Sequence, residues 1–289
     1  MKLRFPLLLT ALLWGLLSAS AQPAPKKTTP RAGHFTFGPR TTIAADSELL
    51  PLARYAAEYL GCEVCNGVAG DGVVVLTLDA ADGEASEGYV LDITPDHIRI
   101  GGSAYGGVFN GLQQLFRLLP PEVYARKGVA AGTQVACAEI EDAPRFAYRG
   151  MMLDVARTWI DESKVKRYID LFSYHNINKL HLHLSDDEGW RIEIKSHPEL
   201  TEIGGFRGGD SPVRPVYGKW SEKYGGYFTQ EEMRGLIRYA AERNIEIIPE
   251  IDLPGHSRNI ASVHPEIRCN YPPDTVSTNG YDYRSAWCV

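Results

Sequence analysis

The spacing of apolar positions changes three times along these 289 residues. A mostly apolar run from Phe5 to Leu17 opens the chain behind Lys2 and Arg4. Residues 22–33, with prolines and paired lysines, show no apolar period and are expected to form a flexible leader. Short segments then predict a strand over 41–44, a helix over 47–60 capped by Ser47, and a buried strand over 73–78. Residues 89–93 and 97–100 predict a hairpin around Pro95-Asp96, and 105–119 a helix stopped by Pro120-Pro121. Strands in adjacent pairs with few helices indicate an α+β domain over 34–142. It carries no convergent charged cluster, so its expected role is that of an accessory domain.

From residue 143 the rhythm becomes strand, helix, strand. A strand over 150–155 precedes Val165, Tyr168, Ile169 and Phe172 at helical spacing. A second strand over 179–184 leads into a polar, glycine-rich loop over 204–226. Thr229 with Glu232 forms a capping box that opens a helix bearing Met233, Leu236, Ile237 and Ala240. Residues 245–251 predict the third strand. Repeated β/α units mean parallel strands with right-handed crossovers. The expected fold is therefore α/β: a small α+β domain, then the first β/α units of a (β/α)8 barrel over 143–289. Three units fit in that length, so the barrel is expected to be incomplete.

Composition is that of an ordinary globular protein, 44% hydrophobic and 23% charged. The N-terminus adds an address. Its basic start, short apolar run and Ala19-Ser20-Ala21 predict a secretory signal over 1–21 and a periplasmic or secreted protein. The run is short for a membrane span, and no later segment is long and apolar enough. The net charge is −6, and cleavage after Ala21 would leave 28 basic against 36 acidic side chains, or −8. That balance argues against nucleic acid or an anionic membrane as partner. Five cysteines leave at least one unpaired. Cys62 and Cys65 lack a second pair to complete a zinc site. Cys269 and Cys288 could close a loop, and several free buried thiols are the equal alternative.

All three strands of the second part end in charged groups, where (β/α) barrels place their chemistry. Arg157 follows the first strand, and its donor fork suits vicinal hydroxyls or a carboxylate. Trp159 could wall a sugar face, or it is a core tryptophan. His181 and His183 share one face of the second strand. They could hold a divalent metal with Asp186, Asp187, Asp252 and His256, or they are core residues bonded to neighbouring strands. Asp252 and His256, together with Asp186, also suit a relay, in which a buried carboxylate sets a histidine's tautomer and basicity. Asp186 and Asp187 could both reach that histidine, or they are loop-end charges facing solvent.

The run from Tyr148 to Arg157 (YRGMMLDVAR) resembles the first barrel strand of the family 20 glycoside hydrolases, the β-N-acetylhexosaminidases. Asn178 to Asp187 (NKLHLHLSDD), Trp190-Arg191 and Ile248 to His256 (IPEIDLPGH) resemble the strands that follow, in the same order. The preceding domain resembles the family's in its Gly101-Gly102-Ser103 and Gly107 to Leu112 segments. The resemblance implies removal of terminal β-linked N-acetylglucosamine or N-acetylgalactosamine from glycan ends, without a cofactor. The substrate's own acetamido oxygen serves as nucleophile, an exception to the two-carboxylate scheme. An aspartate orients the acetamido group, and an adjacent glutamate protonates the leaving oxygen and later activates water. Arg157 would grip hydroxyls of the terminal sugar, and Asp186 with His256 would form the relay behind the acid.

One element of the family pattern is missing. Its Asp-Glu pair lies in a later H-x-G-G-D-E motif, which these 289 residues do not contain. The Asp-Glu dipeptides present, Asp161-Glu162 and Asp187-Glu188, stand in other contexts. The chain by itself is therefore expected to be an inactive N-terminal part, with its incomplete barrel poorly soluble. A non-catalytic carbohydrate-binding remnant and a metal-dependent barrel hydrolase using His181 and His183 are the alternatives.

Overall fold

The computed structural model describes residues 24–65, 72–79, 87–215, 218–219 and 221–267. The expected signal over 1–21 and the Cys269/Cys288 pairing lie outside them. The chain divides into two compact units, one up to Arg145 and one from Phe146.

The first unit contains β1 (Lys27–Thr36), β2 (Thr42–Ala45), α1 (Leu50–Leu60), β3 (Glu63–Cys65), β4 (Val73–Leu78), β5 (Tyr89–Ile93), β6 (His97–Gly102), α2 (Tyr105–Leu118) and β7 (Gln134–Asp142). Its strands form one seven-stranded sheet in the order β1-β7-β5-β6-β4-β2-β3. β2, β3, β4 and β6 run parallel, whereas β1, β7 and β5 add antiparallel pairings. β4 shows why this is a two-sided sheet. Val74 and Leu76 join the main core under the helices, and Val73 and Val75 form a smaller cluster with Ala44. Tyr59 of α1 stacks on Phe116 of α2 with centroids 5.0 Å apart. α2 approaches the sheet closely at two glycines. A methyl at Gly107 would stand 2.2 Å from the Gly88 carbonyl oxygen, and one at Gly111 would stand 2.5 Å from Ile100 Cγ2.

Two local expectations are corrected here. The segment expected as leader supplies most of β1, which pairs with β7 from Lys27↔Glu141 to Thr36↔Gln134. The polar strand escapes a periodicity test because nearly all of it is exposed, with Phe35 the buried exception. Ser47 is not a helix cap. It opens a 3-10 turn, Ser47–Leu49, and α1 starts beyond it with a proline in its first turn. Asp46 accepts instead from the Leu78 N–H at 2.7 Å, tying that turn to β4.

The second unit contains β8 (Gly150–Asp154), α3 (Glu162–Tyr174), β9 (Lys179–His183), β10 (Ser185–Asp186), β11 (Gly189–Trp190), α4 (Glu199–Glu202), β12 (Phe206–Arg207), β13 (Tyr224–Gly225), α5 (Gln230–Ala241), β14 (Glu246–Glu250) and α6 (Arg258–Val263). β8, β9 and β14 lie side by side in chain order, all parallel, with a helix in each connection. This is how successive β/α units of a barrel are laid down. Both long helices have side-chain caps, and α5 starts where the sequence places it. Asp161 accepts from the Lys164 N–H, and the Thr229/Glu232 capping box is complete.

Val165, Ile169 and Phe172 of α3 and Leu236 and Ala240 of α5 pack on Leu180, Leu182 and Leu184. Tyr168 and Ile237 lie at the margins of those helical stripes and stay partly exposed. Asp170 binds the helices together, accepting from Tyr239 Oη at 2.8 Å and Arg243 Nε at 2.6 Å. Among the described residues no helix is long and apolar enough to cross a membrane.

Candidate active site

Side chains alternate across a strand, so the leucines of β9 that enter the core leave His181 and His183 on the opposite face. Register then builds a row. Asp154 of β8 and Glu250 of β14 both stand opposite His183, at the carboxyl ends of their strands. Glu250 bridges the two histidines, meeting His181 Nε2 with one oxygen and His183 Nδ1 with the other at 2.9 Å. Of the two roles open to this H-x-H pair, the geometry supports bonding to neighbouring strands.

Asp186 lies just beyond that row and is the centre of the site. Its side chain is 2% exposed, and four partners converge on it. Oδ2 is 2.7 Å from Arg157 Nη2 and 3.0 Å from His183 Nε2. Oδ1 accepts the Asp187 N–H at 2.6 Å and lies 3.5 Å from His256 Nδ1. Burial alone would raise this carboxyl's pKa. The bonds from His183 and the Asp187 N–H, with the charges of Arg157 and His256, outweigh it and hold the group below its ordinary range. His183 moves the other way. Its bond to Asp186 outweighs burial and, with Glu250, raises it to about 9. Asp252 is raised by burial and by the adjacent Glu250 carboxylate, a like-charge pair that favours one shared proton.

Arg157 is positioned by its own strand end. Asp154 Oδ1 accepts the N–H groups of Ala156 and Arg157, and Oδ2 accepts from Arg157 Nη1 at 2.7 Å. Beneath it, fully buried Arg191 donates to the carbonyls of Val155, Ala156, Gly205 and Gly226. Burial lowers the pKa of this guanidinium to about 10, so it stays cationic at neutral pH. Arg207 adds a bond to the Arg157 carbonyl. Trp159 is not a free wall. It packs on Phe228 with ring centroids 4.7 Å apart and contributes to the unit's own core.

The third strand's loop is held by four consecutive residues that follow the second. Ser185 Oγ accepts the Asp252 N–H at 3.0 Å, Asp186 faces His256, Asp187 accepts the Arg258 N–H, and Glu188 pairs with Arg258. His256 itself sits in left-handed backbone at φ 51°. The structure thus joins all three residues singled out from the sequence, Arg157, Asp186 and His256. The histidine's partner is Asp186, whereas Asp252 faces Glu250. Asp187 turns to Arg258, and Glu188 is buried between Arg207 and Arg258. Asp161-Glu162 serves the start of α3, where both acids pair with lysines.

Sequence reasoning missed the roles of Asp154, Arg191, Arg207 and Ser185. Asp154 had a signal three residues before the arginine it orients, and Ser185 and Arg191 stand in the runs that carry the family resemblance. A metal could draw on His183, Asp186 and Asp252, whose ligand atoms lie within 4.8 Å of one another. A guanidinium already occupies that carboxylate, so the set fits a cation relay better than an added divalent ion.

Two family models match in succession: "Glycosyl hydrolase family 20, domain 2" over residues 20–143, and "Glycosyl hydrolase family 20, catalytic domain" over 146–288. A β-hexosaminidase of Porphyromonas gingivalis is 35% identical over 257 residues, covering 86% of this chain and 32% of that protein. A β-hexosaminidase of Vibrio furnissii is 46% identical over 178 residues, covering 62% and 28%. The chain thus spans about a third of the length of these relatives. Among solved structures, the N-acetyl-β-hexosaminidase of Streptomyces plicatus in complex with Thio-NAglucal superposes with a TM-score of 0.77 at 35% identity, covering 91% of this chain and 52% of that one. The D437A inactive mutant of the GH20 exo-β-N-acetylglucosaminidase from Vibrio harveyi gives 0.79 at 34%, covering 93% and 42%. With both of its units matched in order and its strand-end motifs folded into one cluster, the chain belongs to glycoside hydrolase family 20.

Proposed function

We propose that this chain supplies the first part of an exported exo-β-N-acetylhexosaminidase that removes terminal β-linked N-acetylglucosamine or N-acetylgalactosamine from glycan ends. The observation that carries the reading is the convergence of Arg157, His183 and His256 on buried Asp186. Arg157 is fixed along one edge by Asp154 and Asp186, which pre-orients its fork toward vicinal hydroxyls of the terminal sugar. Asp186 and His256 form a relay that tunes a carboxylic acid brought next to His256 Nε2. That acid belongs to the family's later Asp-Glu motif, which these 289 residues do not contain. We therefore expect the chain alone to be silent. Phe146, Tyr148, Met151 and Met152 stand exposed on and just before β8, a surface that suits cover by further barrel strands.

The test is hydrolysis of an aryl β-N-acetylglucosaminide by the 289-residue chain and by the gene product read through to the next stop codon. Turnover confined to the longer form is the expected result. Turnover by the shorter one would move the chemistry to a carboxylate such as Asp187 or Asp252. Silence from both would favour a binding remnant.

A further inference from the structure

A second group of ligating side chains converges in the same unit and shares no residue with the Asp186 cluster. His197 and Glu199 lie between β11 and the start of α4, and His264 and Glu266 follow α6. Glu199 Oε1 is 3.2 Å from His197 Nδ1 and 3.1 Å from His264 Nε2. The other ring nitrogen of His264, Nδ1, is 3.0 Å from Glu266 Oε1. The three ligand atoms on His197, Glu199 and His264 all lie within 4.8 Å of one another.

His264 therefore faces a carboxylate at each ring nitrogen. A neutral ring has one N–H, so one nitrogen would present a lone pair to an anion. A cation between Nε2 and Glu199 would satisfy both contacts, as would a further proton shared between the ring and a carboxylate. Glu266 favours the cation: a carboxylate taking Nδ1–H is how proteins orient a metal-binding imidazole, and it leaves Nε2 as the ligand. Distances agree. Ligands bound to one ion at about 2.0–2.1 Å stand roughly 3.0–3.4 Å apart, as the two N···O separations do.

We propose that His197, Glu199 and His264 bind a divalent transition-metal ion of the zinc class, with Glu266 as the outer partner of His264. Two imidazoles and one carboxylate select zinc, nickel or copper over magnesium or calcium, which prefer all-oxygen sites. The segments carrying the ligands rest on one apolar cluster, Trp190, Leu200 and Ile260 with Ile192, Ile194 and Ile267, so the ligands are pre-positioned. Asn259 adds a bond to the Gly204 carbonyl at 2.7 Å. The ion staples α6 to α4. Since α6 directly follows the loop bearing His256, the staple steadies that loop from its far end. The half-exposed rim of His197 leaves room for water as a further ligand.

The test is calorimetric titration of the chelator-stripped 289-residue chain with zinc chloride, with magnesium chloride as the control, and a thermal melt with and without zinc. One equivalent of zinc, no response to magnesium and a raised midpoint are expected. His264→Ala and His197→Gln should abolish that equivalent. Glu266→Gln should weaken it about 10- to 100-fold, the usual effect of losing an outer partner. His197 is exposed, so its variant keeps the fold even if His264→Ala does not. Absence of zinc binding, or binding unchanged in His197→Gln, would overturn the proposal and leave the cluster as a set of side-chain contacts between α4 and the end of α6.

Discussion

The guanidinium of Arg157 and the buried carboxylate of Asp186 meet at 2.7 Å. Each residue stands three positions past the last residue of its strand, Arg157 beyond Asp154 of β8 and Asp186 beyond His183 of β9. The pair sets the geometry of the whole site. Arg157 is fixed in direction, and Asp186 is kept ionised for His183 and His256.

Asp186→Ala should therefore destabilise the second unit well beyond the loss of one contact. It leaves the buried, cationic His183 without this carboxylate and Arg157 with Asp154 alone. Removing one partner of a buried charge cluster typically costs about 3–5 kcal/mol. Urea unfolding followed by near-ultraviolet circular dichroism would measure it. A loss under about 1 kcal/mol would show that the cluster is merely tolerated.

Stability of that unit should depend on pH through His183. Its pKa is raised from 6.5 to about 9 in the folded chain. Its contribution is thus fully present below about pH 6.5 and is lost as pH rises through about 9. Urea midpoints should fall between those values in the parent chain. In His183→Gln the decline should flatten, and a slope that persists unchanged would assign it to another group.

Arg191→Lys should behave as a severe change despite keeping the charge. The guanidinium serves four carbonyls in fixed directions, and an ammonium cannot reach them all. Each buried carbonyl left unpaired costs about 1–3 kcal/mol. Backbone amide exchange across 155–159 should speed up, because the segment that carries Arg157 loses its anchor. Equal exchange in variant and parent would contradict this.

Gly107→Val tests the first unit on its own. The new side chain would start 2.2 Å from the Gly88 carbonyl oxygen, and backbone cannot swing aside as a side chain can. Overpacking of this kind costs about 1–3 kcal/mol. The expected outcome is a lowered unfolding midpoint for that unit, with the His183-linked pH response of the second unit unaltered.

The sequence by itself determined the long helices and the three parallel strands of the second unit, because periodicity and caps act over a few residues. Val165, Ile169 and Phe172 stand at helical spacing, and Thr229 and Glu232 close a capping box whatever surrounds them. Charged residues after apolar strands put Arg157, Asp186 and His256 among its candidates, and the resemblance to family 20 picked out those three. The sequence missed β1, whose exposed, polar residues are ordered by pairing with β7 at the far end of the same unit. Only the tertiary structure decided which carboxylate faces which cation. Asp252 is nearer to His256 in sequence, but parallel register and the Ser185 bond bring Asp186 to that ring instead. The same holds for Arg191 and for the His197, Glu199 and His264 group. Arg191 finds its carbonyls in three other segments, and Glu199 finds His264 only because α4 and α6 share one apolar cluster. No local pattern records a distance that only the packed chain sets.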